Sequence, residues 1–222
     1  MMGKAFVSGG AVMTAPVTGV PLSEVAVGSV VKLNESGSPV EFYVAKHNYE
    51  SGLNGAGRTL LLRKVPDTEM AWHSSTVNAY ATSAIDAWFN SDYKSRLDAD
   101  IQEAIGTTKF YYVPGNGTTT VSTISRAVFT PSILEFGNDS TFWGDPDGGS
   151  ALGMSREALC YDESGKFVYS WTRTPVTYNQ GKTAAYSSAD QPVTVTKTNY
   201  GPRPCFTLPA TALVQTDGTI KI

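Results

Sequence analysis

From Val25 onward, β-branched and apolar residues recur in short runs separated by turn-forming clusters. "VAVGSVVKLN" ends at "ESGSP" and "VEFYVAKHNY" resumes the alternation, so these segments predict a β-hairpin. After the loop "SGLNGAG", "RTLLLRKV" reads as a buried strand, because Leu60, Leu61 and Leu62 make a continuous apolar run between basic ends. One stretch follows a helical period instead. It starts at Thr82 or Ser83, has Asp86 at capping-box spacing, and places Ile85, Trp88, Phe89 and Tyr93 on one face, with Leu97 extending the stripe. Asn90 and Ser91 are weak helix formers, which leaves open two short helices joined at "NSD". A further turn over "DADIQEAIGT" would pack Ile101 and Ile105 inward.

Beyond Gly106 the pattern returns to strand and loop. "TKFYYV" predicts a strand, "PGNGTTT" a turn, and "STISRAVFTPSILEFG" a strand plus a short helix begun by Thr130 and Pro131. Residues 138–152 read as loop, "FVYSWTRTP" and "PCFTLPATALV" as late strands, and "QTDGTI" as a hairpin-like turn. Residues 1–22 lack periodicity and read as an N-terminal arm, leaving 23–222 as a single domain. The expected class is α+β, with mixed or antiparallel sheets, one or two helices and long loops.

Composition narrows the function. With 222 residues, 21 Gly and 12 Pro, the chain can bury its own core while turning often. A net charge of −3 with no Lys/Arg cluster argues against nucleic acid as a partner. No stretch approaches the roughly twenty apolar residues of a membrane span, so membrane insertion is not expected. The opening "MMGKAFVSGGAVMTAPVTGV" superficially resembles a signal peptide, but Gly9, Gly10 and Pro16 break its apolar run. Cys160 and Cys205 form neither a disulfide framework nor a zinc spacing and read as two buried thiols; whether they meet is open.

The chain's candidate catalytic groups point to no enzyme, metal or cofactor. His47 and His73 fit neither a zinc spacing nor a triad, and His73 is next to Ser74 rather than placed to activate it. Asp145 and Asp147 in "DPDGG" read as turn formers, with calcium binding through oxygen ligands as the alternative. Asp98, Asp100 and Glu103 read as a solvated helix face. Residues 176–200 are different: seventeen of their side chains are Thr, Tyr, Ser, Asn, Gln, Lys or Asp, yet only three carry a formal charge. Tyrosine offers rigid contact area and Ser, Asn and Thr adaptable hydrogen bonds, which is the chemistry of a recognition surface. Tyr178, Asn179, Gln180, Tyr186, Asp190, Asn199 and Tyr200 are its candidate ligand-binding residues. The alternative is a pair of exposed strands with threonine-rich faces, since "PVTVTKT" alternates; the two are compatible.

Four segments in register, "SAIDAWFNSDYKSRL", "AVFTPSILEFG", "SWTRTP" and "YGPRPCFTLP", resemble the landmarks of an uncharacterised domain family of phages, prophages and surface proteins of gut bacteria, whose signature is WWLRSP followed by GVRPA. The resemblance covers about residues 23–210. Ser170, Thr172 and Pro202 depart from the family pattern, while Arg173, Pro175, Gly201, Arg203 and Pro204 keep it. The family resembles C-type-lectin-like domains, including the formylglycine-generating-enzyme branch, a fold that carries variable loops on a fixed frame and in some phages is the target of diversity-generating retroelements. The redox arrangement of the formylglycine branch and the Glu-Pro-Asn calcium site of animal lectins are both missing here; Gln191–Val193 is too slight a match.

The resemblance implies a non-enzymatic receptor-binding domain of a phage virion, made in the bacterial cytoplasm and associated with the tail. Its expected partners are a host-surface glycan or protein, met through 176–200 as a diversified surface, and other virion proteins, met through residues 1–22. Trp171, Arg173, Gly201, Arg203 and Pro204 would form the structural frame, with both arginines partly buried. The structural alternative is a virion decoration or assembly protein, for which a homo-oligomer is expected.

Overall fold

Four consecutive buried residues, Thr59–Leu62, place one strand in the middle of the molecule with both of its faces covered. A computed structural model describes residues 18–137, 148–162, 164–186 and 191–222. In chain order its elements are β1 (Val20–Pro21), β2 (Val30–Glu35), β3 (Ser38–His47), α1 (Ser51–Asn54), β4 (Arg58–Arg63), α2 (Ala84–Trp88), α3 (Ala99–Ala104), β5 (Thr108–Tyr112) and β6 (Ser122–Arg126). They continue with α4 (Arg156–Cys160), β7 (Ser170–Pro175), β8 (Lys182–Tyr186), β9 (Gln191–Thr194), β10 (Cys205–Pro209), β11 (Leu213–Val214) and β12 (Ile220–Lys221). The class is α+β, mostly sheet, and the named strands pair antiparallel in several small sheets.

The central sheet has the order β10-β4-β3-β2. Its first hairpin closes through Ser36 and Gly37, both at positive φ (51° and 78°), the geometry that matches the right-handed twist of the flanking strands. Ala45 is an extra buried residue where the β3/β4 register shifts between Val44 and Lys46. A second sheet, β1-β11-β12, meets the first where Lys32 bridges Thr219 in parallel. β1 and Leu22 therefore correct the expected arm: Leu22 is wholly buried and its amide bonds the Ala212 carbonyl at 2.7 Å, so the folded body includes these residues. Residues 1–17 lie outside the described residues.

The helical stripe shows how sequence period becomes shape. Ser83 caps α2, its hydroxyl accepting from the Asp86 amide at 3.2 Å. Ile85, Phe89, Tyr93 and Leu97 are all buried at intervals of four. A repeat of four outruns the 3.6-residue α turn, and the chain absorbs the excess in a wider π turn at Phe89–Tyr93. One continuous helical path results, not two helices broken at "NSD". The short helix expected from Thr130 and Pro131 does not form as such. Ser132 and Glu135 instead exchange capping bonds (Ser132 N to Glu135 Oε2, 2.9 Å; Glu135 N to Ser132 Oγ, 3.1 Å) around a single turn that stops at Gly137. α1 and α4 were not expected from the pattern; each is little more than one turn, too short to leave a period.

Beside the central sheet, β7, β8 and β9 form a third sheet in that order, and β5 with β6 a two-stranded one. Residues 66–73 run antiparallel to 195–202 through backbone bonds from His73 to Val195 (3.0 Å), Met70 to Tyr200 (3.1 Å) and Asp67 to Pro202 (2.8 Å). Cys160 and Cys205 are both buried and form no disulfide with each other. Burial, and then the nearby Glu135 charge, push the Cys205 thiol well above its ordinary range.

Candidate functional site

The connection from β7 to β8 carries the exposed chemistry. It folds back on itself by bonds from Val176 N to Lys182 O (3.1 Å), Asn179 N to Val176 O (3.1 Å) and Lys182 N to Asn179 O (3.1 Å). Asn179 adds a local turn, its side-chain oxygen accepting from Gly181 N at 3.0 Å. Beneath this loop is Asn78, wholly buried. Its Nδ2 points at the carbonyls of Lys182 (2.6 Å), Val176 (3.1 Å) and Asn179 (3.3 Å), and its Oδ1 accepts from Asn116 N at 2.7 Å. The neighbouring turn can approach this closely because residue 115 is glycine: a β-carbon there would stand 2.2 Å from the Asn78 carbonyl oxygen.

Above that anchor Tyr178 is 68% exposed, and Asn179 and Gln180 are exposed beside it. With Thr76, Gly181, Lys182 and Thr194 they line an open depression of about 560 Å³. The loop's backbone is fixed while its side chains face solvent, an arrangement suited to binding without large ordering losses. The remaining candidates scatter. Tyr186 ends β8 with its backbone opposite Ser170. Asp190 lies outside the described residues. Asn199 is exposed in a separate depression with Lys197 and Tyr200. Tyr200 requires correction, because it is only 4% exposed and packs its ring 4.9 Å from Trp171, so it belongs with the core. Thr76, Asn78 and Thr194 were missed; "STVNAY" is a polar run with no periodicity or motif to mark it.

The frame residues are buried throughout. Arg173 is fully buried and donates to Glu135 Oε2 (2.6 Å), Thr130 O (2.9 Å) and Tyr111 O (3.1 Å), with its guanidinium 4.7 Å from the Phe110 ring centre. Glu135 also accepts from the Tyr49 hydroxyl. Burial, and secondly the Glu135 charge, raise the Tyr49 phenol well above its ordinary range. Arg203, equally buried, ties together the carbonyls of Arg63, Lys64 and Leu159. Both arginines were expected to be partly buried; their burial is complete. Gly201 holds its place by close approach, since a β-carbon would stand 2.4 Å from the Asp67 carbonyl oxygen and 2.7 Å from Pro66 Cβ. Pro204 is buried, its carbonyl accepting from Arg63 N at 2.9 Å.

Neither histidine sits in a reactive constellation. His47 bridges Thr59 and the Val25 carbonyl at 2.9 Å each, and His73 Nδ1 accepts from Ala84 N at the start of α2. Among the described residues no three His, Cys, Asp or Glu side chains gather where a metal could be held, and no helix is long and apolar enough to cross a membrane. Asp145 and Asp147 lie outside the described residues.

No curated protein and no solved structure matches the chain. One family model does match, over residues 56–210, and it is described as a domain of unknown function (DUF6273). That span contains α2, the Asn78 anchor, the 177–181 loop and both buried arginines, and it exceeds half of the chain; the protein therefore belongs to the DUF6273 family.

Proposed function

We propose that this chain is a non-enzymatic binding domain, lectin-like in architecture, carried by a phage virion at its tail, and that it recognises a host-surface glycan through the 177–181 loop. The observation that carries this reading is the contrast at Asn78. A fully buried side chain spends its hydrogen-bonding capacity on the backbone of a loop whose own side chains, Tyr178 above all, face solvent. A tyrosine held this way offers a flat apolar face and a polar tip to a sugar ring at little entropic cost. Attachment to other virion proteins fits the opposite character of the chain's entry. There Val20 is an exposed apolar side chain, and Thr18–Val20 line a shallow, largely apolar hollow with Val25 and Val214–Thr216.

The test is a host-cell and glycan-array binding assay comparing the parent chain with Tyr178→Ala. Retention of the parent together with loss in the variant is the expected result. An absence of parent binding to every host surface and glycan tried, or equal binding by both chains, would remove the reading.

A further inference from the structure

We infer that the binding site is not confined to the loop but continues as a belt of three depressions, whose ligand is a linear oligosaccharide lying along it; this inference rests on the glycan-binding reading above. The depressions are strung along segments 66–76 and 194–202, which are paired from Asp67 to His73. The first, around Tyr178, includes Thr76 and Thr194. Thr194 also lines the second, with Lys197, Asn199 and Tyr200. Tyr200 then meets Tyr169 edge-on at 5.6 Å, and Tyr169 lines the third with Lys166, Phe167 and the carboxylates of Asp67, Glu69 and Asp162. Each depression thus shares a residue, or a ring contact, with the next.

The chemistry repeats along this path. Each depression holds one lysine, Lys182, Lys197 or Lys166 in turn, and the two outer ones each have a tyrosine in the wall, Tyr178 and Tyr169; between them Asn199 is exposed beside the buried Tyr200. Tyr178 and Tyr169, at the two ends, are 68% and 43% exposed. Beside Tyr169 an aromatic row continues through Phe167 (5.4 Å) to Tyr161 (5.2 Å further), itself 45% exposed. Exposed rings at the two ends for the apolar faces of sugars, and lysine and carboxylate groups for their hydroxyls, suit an extended chain of sugars. Residues 67 to 76 span at most about 30 Å if fully extended, which caps the path at several sugar units. The backing is stiff, because the bonds at His73, Met70 and Asp67 hold the two segments together along this length.

The probe is an array of linear oligosaccharides graded from one to six sugars, in neutral and uronate-containing series, applied to the full chain. Binding is expected to strengthen with length, and Tyr178→Ala and Tyr169→Ala are each expected to weaken the longest bound member about tenfold, the scale of one contact worth more than 1 kcal/mol. On the shortest bound member only one of the two changes acts. Because Tyr169 also packs on Tyr200, Lys166→Ala, an exposed change in the same depression, must weaken the long member as well. Binding that is complete with one or two sugars, and indifferent to Tyr169→Ala and Lys166→Ala, overturns the belt while leaving the loop site standing. Failure to retain any oligosaccharide overturns the belt, and host-cell binding by the parent then decides separately whether the loop recognises something else.

Discussion

Trp72 and Trp171 lock their two segments together by exchanging indole hydrogen bonds: Trp72 Nε1 donates to the Thr172 carbonyl at 3.0 Å, and Trp171 Nε1 donates to the Met70 carbonyl at 2.7 Å. Both side chains are wholly buried, so each indole N–H needs its carbonyl partner, and the Thr172 carbonyl is itself buried. Their replacement tests this directly. Trp72→Phe keeps most of the apolar volume but leaves the Thr172 carbonyl without its indole donor, at a cost of about 1–3 kcal/mol plus the cavity. Urea unfolding should show a lower midpoint with an unchanged slope. A Trp72→Phe chain as stable as the parent would mean the exchange contributes little.

The buried pair Arg173–Glu135 makes a sharper prediction, because desolvation and attraction oppose each other there. Removing one partner strands a charge in the core and costs about 3–5 kcal/mol, whereas replacing both with apolar residues recovers much of the loss. Arg173→Met alone should therefore be the most destabilised chain, and Arg173→Met with Glu135→Leu should be more stable than that single variant. The recovery stays incomplete, since Glu135 also accepts from Tyr49 and from Ser132 N. A double-mutant cycle on unfolding free energies reads the coupling, and additive losses would contradict it.

Acid should act through Asp67. Burial alone raises its carboxyl pKa, but the Arg96 hydrogen bond, the Thr68 amide and the Arg63 charge outweigh burial and hold it below the ordinary 3.8. A pKa depressed by folding means that the unfolded chain takes up the proton first as pH falls. The stability contributed by Asp67 is therefore fully present above the unfolded value of 3.8 and is lost as pH falls through the folded value. Unfolding followed from pH 6 down to pH 2 should show this loss in the parent, and Asp67→Asn should flatten that part of the profile while lowering stability at neutral pH.

Legibility in the sequence followed the strength of each local signal. The hairpin at Ser36–Gly37, the run Leu60–Leu62 and the stripe Ile85, Phe89, Tyr93 and Leu97 were readable because burial repeats at the period of the element. The single-turn helices were not, since five residues cannot display a period. Tyr200 shows a different limit. Its neighbours Asn199 and Gly201 look like loop, and only the return of the chain to Met70 and Trp171, more than a hundred residues back for Met70, turns its ring inward. Asn78 was invisible for the same reason: its partners are carbonyls at 176, 179 and 182, supplied by tertiary structure alone.

Gly201→Ala should report on the packing of the two segments. The added methyl would lie within 2.4 Å of the Asp67 oxygen and 2.7 Å of Pro66, and backbone on that side has little room to yield, so a loss of about 1–3 kcal/mol is expected. Gly37→Ala tests a different cause, because nothing lies within 4 Å of its position and only the positive φ opposes the change. Thermal unfolding of both variants separates steric approach from backbone strain.

Asn78→Ala and Tyr178→Ala should divide the loop's support from its contact. Tyr178 is 68% exposed, so its truncation should leave unfolding within about 0.5 kcal/mol of the parent while abolishing most glycan retention. Asn78→Ala removes the donor to the carbonyls of Val176, Asn179 and Lys182 and the acceptor for Asn116 N, all around a buried position, and should cost about 1–3 kcal/mol. It should also weaken binding although it touches no ligand, because the loop must then be ordered when the ligand arrives. Amide hydrogen exchange distinguishes this from general loss of fold: protection should fall at 176–182 and 116 and persist in Thr59–Leu62. Unchanged protection in the loop, with binding intact, would show that Asn78 fills space without holding the site.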